Sequence, residues 1–167
     1  MIKALITFII LFTVDNLMVI FLPIRPVFGD YQVVPYLLLI GICLATFFDE
    51  KNHVPLLAVI FGLIYDMYAT NLLGLYGVMF LVVVNVVKNK LVPVTPVNFV
   101  SIFYIVIVAI FTIEIIVYTF VTVITNQAVA IWAFVQYRLI ITLIFNTVLL
   151  VLSYLPLLKI LKPRPEK

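Results

Sequence analysis

Six long apolar runs alternate with short polar stretches along the chain, at about 4–22, 33–48, 54–70, 72–87, 99–125 and 129–158. None shows the strict alternation of apolar and polar positions that a barrel strand needs. Backbone groups in lipid must find partners within their own segment, so the runs are expected to be helices. At about 1.5 Å rise per residue, some 20 residues cross the hydrocarbon, and each run is read as one span. The fifth and sixth are long enough to tilt or to project beyond the bilayer. Thr70-Asn71 alone separates the third and fourth, which predicts a tight antiparallel hairpin. The expectation is an all-α integral membrane protein with six transmembrane helices in one domain, 1–158, followed by a basic tail, 159–167.

Composition agrees with this reading. Of 167 residues, 66% are apolar and 10% charged, where a soluble domain carries about 25% charged residues. Six spans leave almost no chain for a soluble catalytic module or a nucleotide-binding domain. The single Cys43 excludes a disulfide framework and a thiolate cluster. With one histidine, and carboxylates scattered over different spans, no metal site is expected. A glycine-rich phosphate loop, a His-Glu-x-x-His pair and a nucleophile elbow are all missing, so neither an enzyme nor a cofactor is expected.

The net charge of +3 could suggest nucleic acid, but the cations sit at the ends of the runs, where they set orientation instead. With the N-terminus inside, the inner ends carry Lys3, Lys51, Lys88, Lys90, Lys159, Lys162, Arg164 and Lys167, against Arg25 alone outside. Both termini are therefore expected in the cytoplasm. The first run follows Lys3 as a signal peptide would. However, Asp15-Asn16 interrupts it and no small-x-small cleavage site precedes Pro23, so an uncleaved helix is expected. The stretch with Pro23, Arg25, Pro26 and Gly29 reads as a turn-rich outer connector, and Pro163-Arg164-Pro165 as a disordered tail.

Four ionisable residues lie inside the runs: Asp15, Asp66, Glu114 and Arg138. Each costs roughly 2.5–3.5 kcal/mol at mid-bilayer, so such groups face the bundle interior and find partners. Glu114 and Arg138 are almost equally far from the Asn126-Gln127 turn, which predicts an ion pair across the last hairpin. All four fall roughly 7–18 Å below the outer face, where one polar cluster could hold them. That cluster could be a structural lock, a substrate or proton pathway, or a surface read by another membrane protein. Ala58, Gly62 and Asp66 recur every four residues on one helix face, and Gly41 with Ala45 forms a second small-residue face, so backbones can approach there. Asn85 and Asn146 are read as interhelical hydrogen-bonding amides, and His53 as part of a solvated turn.

The stretch Phe61-Gly62-Leu63-Ile64-Tyr65-Asp66-Met67, followed by Leu72-Leu73-Gly74-Leu75-Tyr76-Gly77, resembles the Gly-Leu-x-x-Asp … Leu-Gly core of the rod shape-determining MreD family, in the form found in Gram-positive rods. Val34-Pro35, Glu114, Arg138, Asn146 and Pro156 extend the resemblance over nearly the whole chain. It implies a non-enzymatic, multi-pass protein of the cell membrane, acting as scaffold or regulator in the elongation machinery that inserts side-wall peptidoglycan. Implied partners are MreC directly, then RodA, a class B penicillin-binding protein and MreB in the same complex, along with membrane lipids; nucleic acid is not among them. The implied fold is similar to the S-components of energy-coupling-factor transporters. The Ala-x-x-x-Ala face of those proteins is absent here, since Leu5, Ile6, Thr7 and Phe8 follow Ala4. Asp15, Asp66, Glu114, Arg138 and Asn146 are read as an intramembrane polar cluster or partner-binding set, and Ala58, Gly62, Gly74 and Gly77 as helix-packing positions. The alternative is a small-solute-binding transporter subunit, with an outward pocket lined by Asp15, Asp66, Glu114, Trp132 and Tyr137.

Overall fold

A computed structural model describes residues 2–21, 32–69, 74–125 and 130–162. The Pro23–Gly29 connector, the Thr70-Asn71 and Asn126-Gln127 turns and the Pro163–Pro165 tail lie outside these residues. Six helices run through the described chain: α1 (Ile2–Phe21), α2 (Leu37–Thr46), α3 (Val54–Ala69), α4 (Leu75–Val86), α5 (Phe99–Thr125) and α6 (Ile131–Leu161). Wide π-type turns occur at Val87–Leu91, directly after α4, and at Val135–Leu139 within α6. No strand occurs among the described residues.

Helix α2 is the axis of the molecule. All ten of its residues are buried, and it packs against each of the other five helices. These form a ring in which α1 touches α3 and α6, α3 lies closely along α4, and α5 packs on α6. Between α4 and α5 runs a lateral groove of about 580 Å³, walled by Val78, Val82, Ile116 and Phe120 among others. An aromatic column fills the centre, with Phe8 edge-on to Phe61 and Tyr65 against Tyr76 at 4.7 Å. Aliphatic side chains on the outside, such as Ile10, Leu56, Val82, Val108, Ile144 and Leu152, present the apolar surface that acyl chains require.

Helices α1, α5 and α6 are long and apolar enough to cross a membrane. The second expected span departs from a continuous helix over 33–48, because residues 32–36 are non-helical and α2 starts only at Leu37. Pro35 supplies a physical reason: its ring disfavours helical backbone at Val34, and it has no N–H to donate. Ten helical residues span only about 15 Å, about half of a hydrocarbon core of about 30 Å, so the non-helical residues before α2 carry part of this segment. Non-helical backbone at membrane depth is tolerated only where protein or a water-filled cavity surrounds it. The segment therefore determines which polar side chains must sit nearby.

Candidate functional site

Residues 32–38 carry backbone groups that no helix satisfies, and side chains from three helices bind them. Asn146 of α6 accepts from the Tyr36 N–H at 2.7 Å and donates to the Val34 carbonyl at 2.8 Å. Its second amide hydrogen goes to the Thr142 carbonyl, so the side chain is fully used. The Val34 N–H reaches Thr142 Oγ1 at 3.4 Å, the Tyr65 hydroxyl donates to the Pro35 carbonyl, and the Gln32 N–H donates to the Tyr137 carbonyl. Asp15 of α1 then takes over at the helix start, one oxygen accepting from the Leu37 N–H at 2.9 Å and the other from the Leu38 N–H at 2.8 Å.

The first N–H groups of any helix lack internal partners, and the positive end of its macrodipole lies there. Tyr36 at the start of α2 and Gly74 at the start of α4 make no side-chain cap. In both cases an aspartate from a neighbouring element substitutes. Asp66 of α3 accepts from the N–H groups of Gly74, Tyr76 and Gly77 at 3.0, 2.8 and 3.2 Å, and so fastens α3 to α4. These three bonds run to the start of α4. A third aspartate, Asp49, repeats the device in the loop before α3, binding the His53 and Val54 N–H groups. Lys88 donates to both the carboxylate and the carbonyl of Asp49. Burial pushes the Asp49 carboxyl up, but Lys88 and the two amides outweigh it and hold the group below the usual aspartate range.

Close approach of α3 and α4 depends on Gly62. A methyl group there would stand 2.6 Å from the Gly77 Cα and 2.8 Å from the Tyr76 carbonyl oxygen, closer than real contacts allow. Ala58, one turn earlier, is fully buried, whereas Gly74 has open space but a φ of 105° that disfavours any side chain. Gly77 faces the Leu63 side chain.

Glu114 and Arg138 form the expected pair across α5 and α6. The Arg138 Nε donates to Glu114 Oε2 at 2.7 Å and Nη2 to Oε1 at 3.4 Å. Tyr36 donates its hydroxyl to Glu114 Oε1 at 2.7 Å and lies 3.3 Å from the Tyr76 hydroxyl. Glu114 is wholly enclosed, while the Arg138 side chain keeps 26% of its surface. Glu114 and Arg138 thus touch directly, Asp15 binds the start of α2 next to Tyr36, and Asp66 binds the start of α4 at Tyr76.

Sequence reasoning missed Tyr36, Gln32 and Thr142. A tyrosine directly after Val34-Pro35 was the available signal, since a span entry interrupted by proline needs polar partners. Of the residues expected to line a solute pocket, Tyr137 borders the cleft beside Arg138. Asp15, Asp66 and Glu114 do not line the cleft beside Arg138, and Trp132 is 72% exposed. Asn85 is exposed on α4 and makes no hydrogen bond among the described residues, so the interhelical bond expected of it is not formed. No group of three metal-ligating side chains occurs among the described residues.

The family model described as rod shape-determining protein MreD matches residues 1–164. No curated protein and no solved structure matches the chain. A match over nearly every residue, including the Gly62–Asp66 and Gly74–Gly77 contact that joins α3 to α4, establishes that the chain belongs to the MreD family of rod shape-determining proteins.

Proposed function

We propose that this protein is a non-enzymatic scaffold of the cell membrane, with both termini in the cytoplasm, that binds MreC and supports side-wall peptidoglycan synthesis. RodA, its class B penicillin-binding partner and MreB belong to the same assembly in this reading. The carrying observation is how the intramembrane acids are used. Asp15 and Asp66 are bound by backbone N–H groups of the chain itself, and Glu114 by Tyr36 and Arg138. Carboxylates held this way rigidify a bundle, and a rigid bundle suits a platform on which other membrane helices dock. In the same reading Asp15, Asp66, Glu114, Arg138 and Asn146 shape the docking faces through the helices they fix. The likeness to S-components, implied by resemblance, fits a fold reused for assembly.

The orientation draws support from charge placement. Lys3, Lys162 and Asp49 line one recess, and Lys88 joins Asp49 there. Basic ends of this kind interact with anionic headgroups of the inner leaflet at about 1 kcal/mol each.

The test is co-purification with MreC and measurement of cell width in an Asp66→Ala strain at matched protein level. Loss of the cap should loosen α4, reduce recovered MreC several-fold and round the cells. Normal width together with normal MreC recovery sinks the role.

A further inference from the structure

We infer that the cleft beside Arg138 is a seat for a phosphate-bearing, anionic lipid headgroup. This cleft, about 290 Å³ in volume, opens between α5 and α6 and is bounded by Gln32, Val117, Thr122, Ala133, Phe134 and Arg138, among others.

Polarity comes first. The ion pair is asymmetric: Glu114 is enclosed and its oxygens are taken by Tyr36, Nε and Nη2, so no part of the carboxylate faces the cleft. The guanidinium edge that does face it makes one long bond, Nη1 to Gln32 Oε1 at 3.3 Å, on the exposed side. A guanidinium has more N–H donors than these bonds consume, and it has no acceptor. A ligand arriving there meets donors from Arg138 and from the Gln32 amide, and an anion is what such an edge binds, most strongly in forked geometry. An ammonium group would meet no carboxylate.

Depth comes second. Helix α6 has 31 residues and is about 46 Å long, against a hydrocarbon core of about 30 Å. Roughly 8 Å therefore projects at each end if the helix is centred. Arg138 lies seven residues, about 11 Å, from Ile131, within a few ångströms of the hydrocarbon boundary. Exposed Trp132 marks the same leaflet, since tryptophan favours the headgroup level. Lipid phosphates occupy that layer, and the Val117, Ala133 and Phe134 walls offer an apolar path for the attached chain. A soluble anion would use the guanidinium edge but gain nothing from those walls.

Native mass spectrometry of the purified full chain tests the seat. Phosphatidylglycerol, phosphatidylcholine with identical chains, and inorganic phosphate are titrated separately, and phosphate is also added against bound phosphatidylglycerol. The expected result is one phosphatidylglycerol retained at about tenfold lower concentration than phosphatidylcholine, with phosphate unable to displace it. Arg138→Lys keeps a positive charge for Glu114 but removes the fork, and should bring phosphatidylglycerol to the phosphatidylcholine level. Ala133→Phe fills the cleft without touching the pair, covers the case in which Arg138→Lys does not fold, and should do the same. Equal retention of the two lipids overturns the inference, as does undiminished phosphatidylglycerol binding by Ala133→Phe. Displacement by phosphate at matched concentration also overturns it, assigning the edge to a soluble anion.

Discussion

A lone carboxylate in hydrocarbon is expensive, and the chain meets that cost with backbone amides as often as with opposite charge. Asp15 and Asp66 each bind the start of a helix, where unpaired N–H groups would themselves be costly in lipid. Glu114 is different, because its charge is matched by Arg138. Removing one partner of a buried pair leaves an uncompensated charge, typically 3–5 kcal/mol, whereas removing both is often close to neutral. Arg138→Leu should therefore lower the melting temperature in detergent sharply, and Glu114→Leu with Arg138→Leu should recover much of the loss. A double variant as unstable as the single would show that the pair is not the source. Exchanging the two residues is a poorer probe, since it forces a guanidinium into the fully enclosed position beside Tyr36. Asp49 allows a pH test. Its folded carboxyl titrates below the ordinary value of about 3.9, so its contribution is complete above that pH and is lost as the pH falls through the depressed folded value. The gap in melting temperature between wild type and Asp49→Asn should be present at neutral pH and close under strong acid; a gap independent of pH would remove the ionised Asp49–Lys88 contact from the account.

Between elements, the decisive contact is backbone on backbone at Gly62, where α4 passes over α3. Added atoms there meet Gly77 and Tyr76 main chain, which cannot turn aside, whereas a methyl at Gly77 is crowded by Leu63 side-chain atoms at 3.1 and 3.2 Å and meets the Leu63 backbone nitrogen at an ordinary 3.5 Å. Gly62→Ala should consequently cost more than Gly77→Ala, and it should also loosen the Asp66 cap that depends on the same spacing. Gly74→Ala belongs between them, with a left-handed backbone penalty of about 1–2 kcal/mol and no clash. Unfolding midpoints of the three variants give the order, and a Gly62→Ala protein as stable as Gly77→Ala would refute the close approach. Much of this level could be read in the sequence. The four-residue spacing of Ala58, Gly62 and Asp66 marks the packing face, and the turn-counting from Asn126-Gln127 brings Glu114 to Arg138. The cross-helix caps were not legible, because the partners of Asp15 and Asp66 are amide groups that every residue but proline possesses and no letter announces. The broken second span was hidden for a related reason: Val33, Val34 and Leu37–Ile40 keep the run apolar, and only Pro35 hints that the helix begins after it.

For the whole molecule, a ring of five helices around a buried α2 makes the two ends chemically unlike. One end gathers Lys3, Lys162, Asp49 and Lys88, while the start of α6 carries exposed Ile131 and Trp132. A bundle with that asymmetry has one favoured insertion, because cations resist transfer to the outer side and the charge bias of short loops decides it. The same asymmetry governs the lipid inference, since the Arg138 cleft faces the outer leaflet only if the lysine end lies inside. Cysteine labelling decides the direction cleanly, for Cys43 is fully enclosed in α2 and should stay silent in the folded protein. Ala130 and Glu50 are exposed residues at the beginning of α6 and in the loop before α3. In intact cells a membrane-impermeant maleimide should modify Ala130→Cys and leave Glu50→Cys untouched until the membrane is opened. The reverse pattern would turn the bundle over, placing the lysines outside and the guanidinium edge against the inner leaflet.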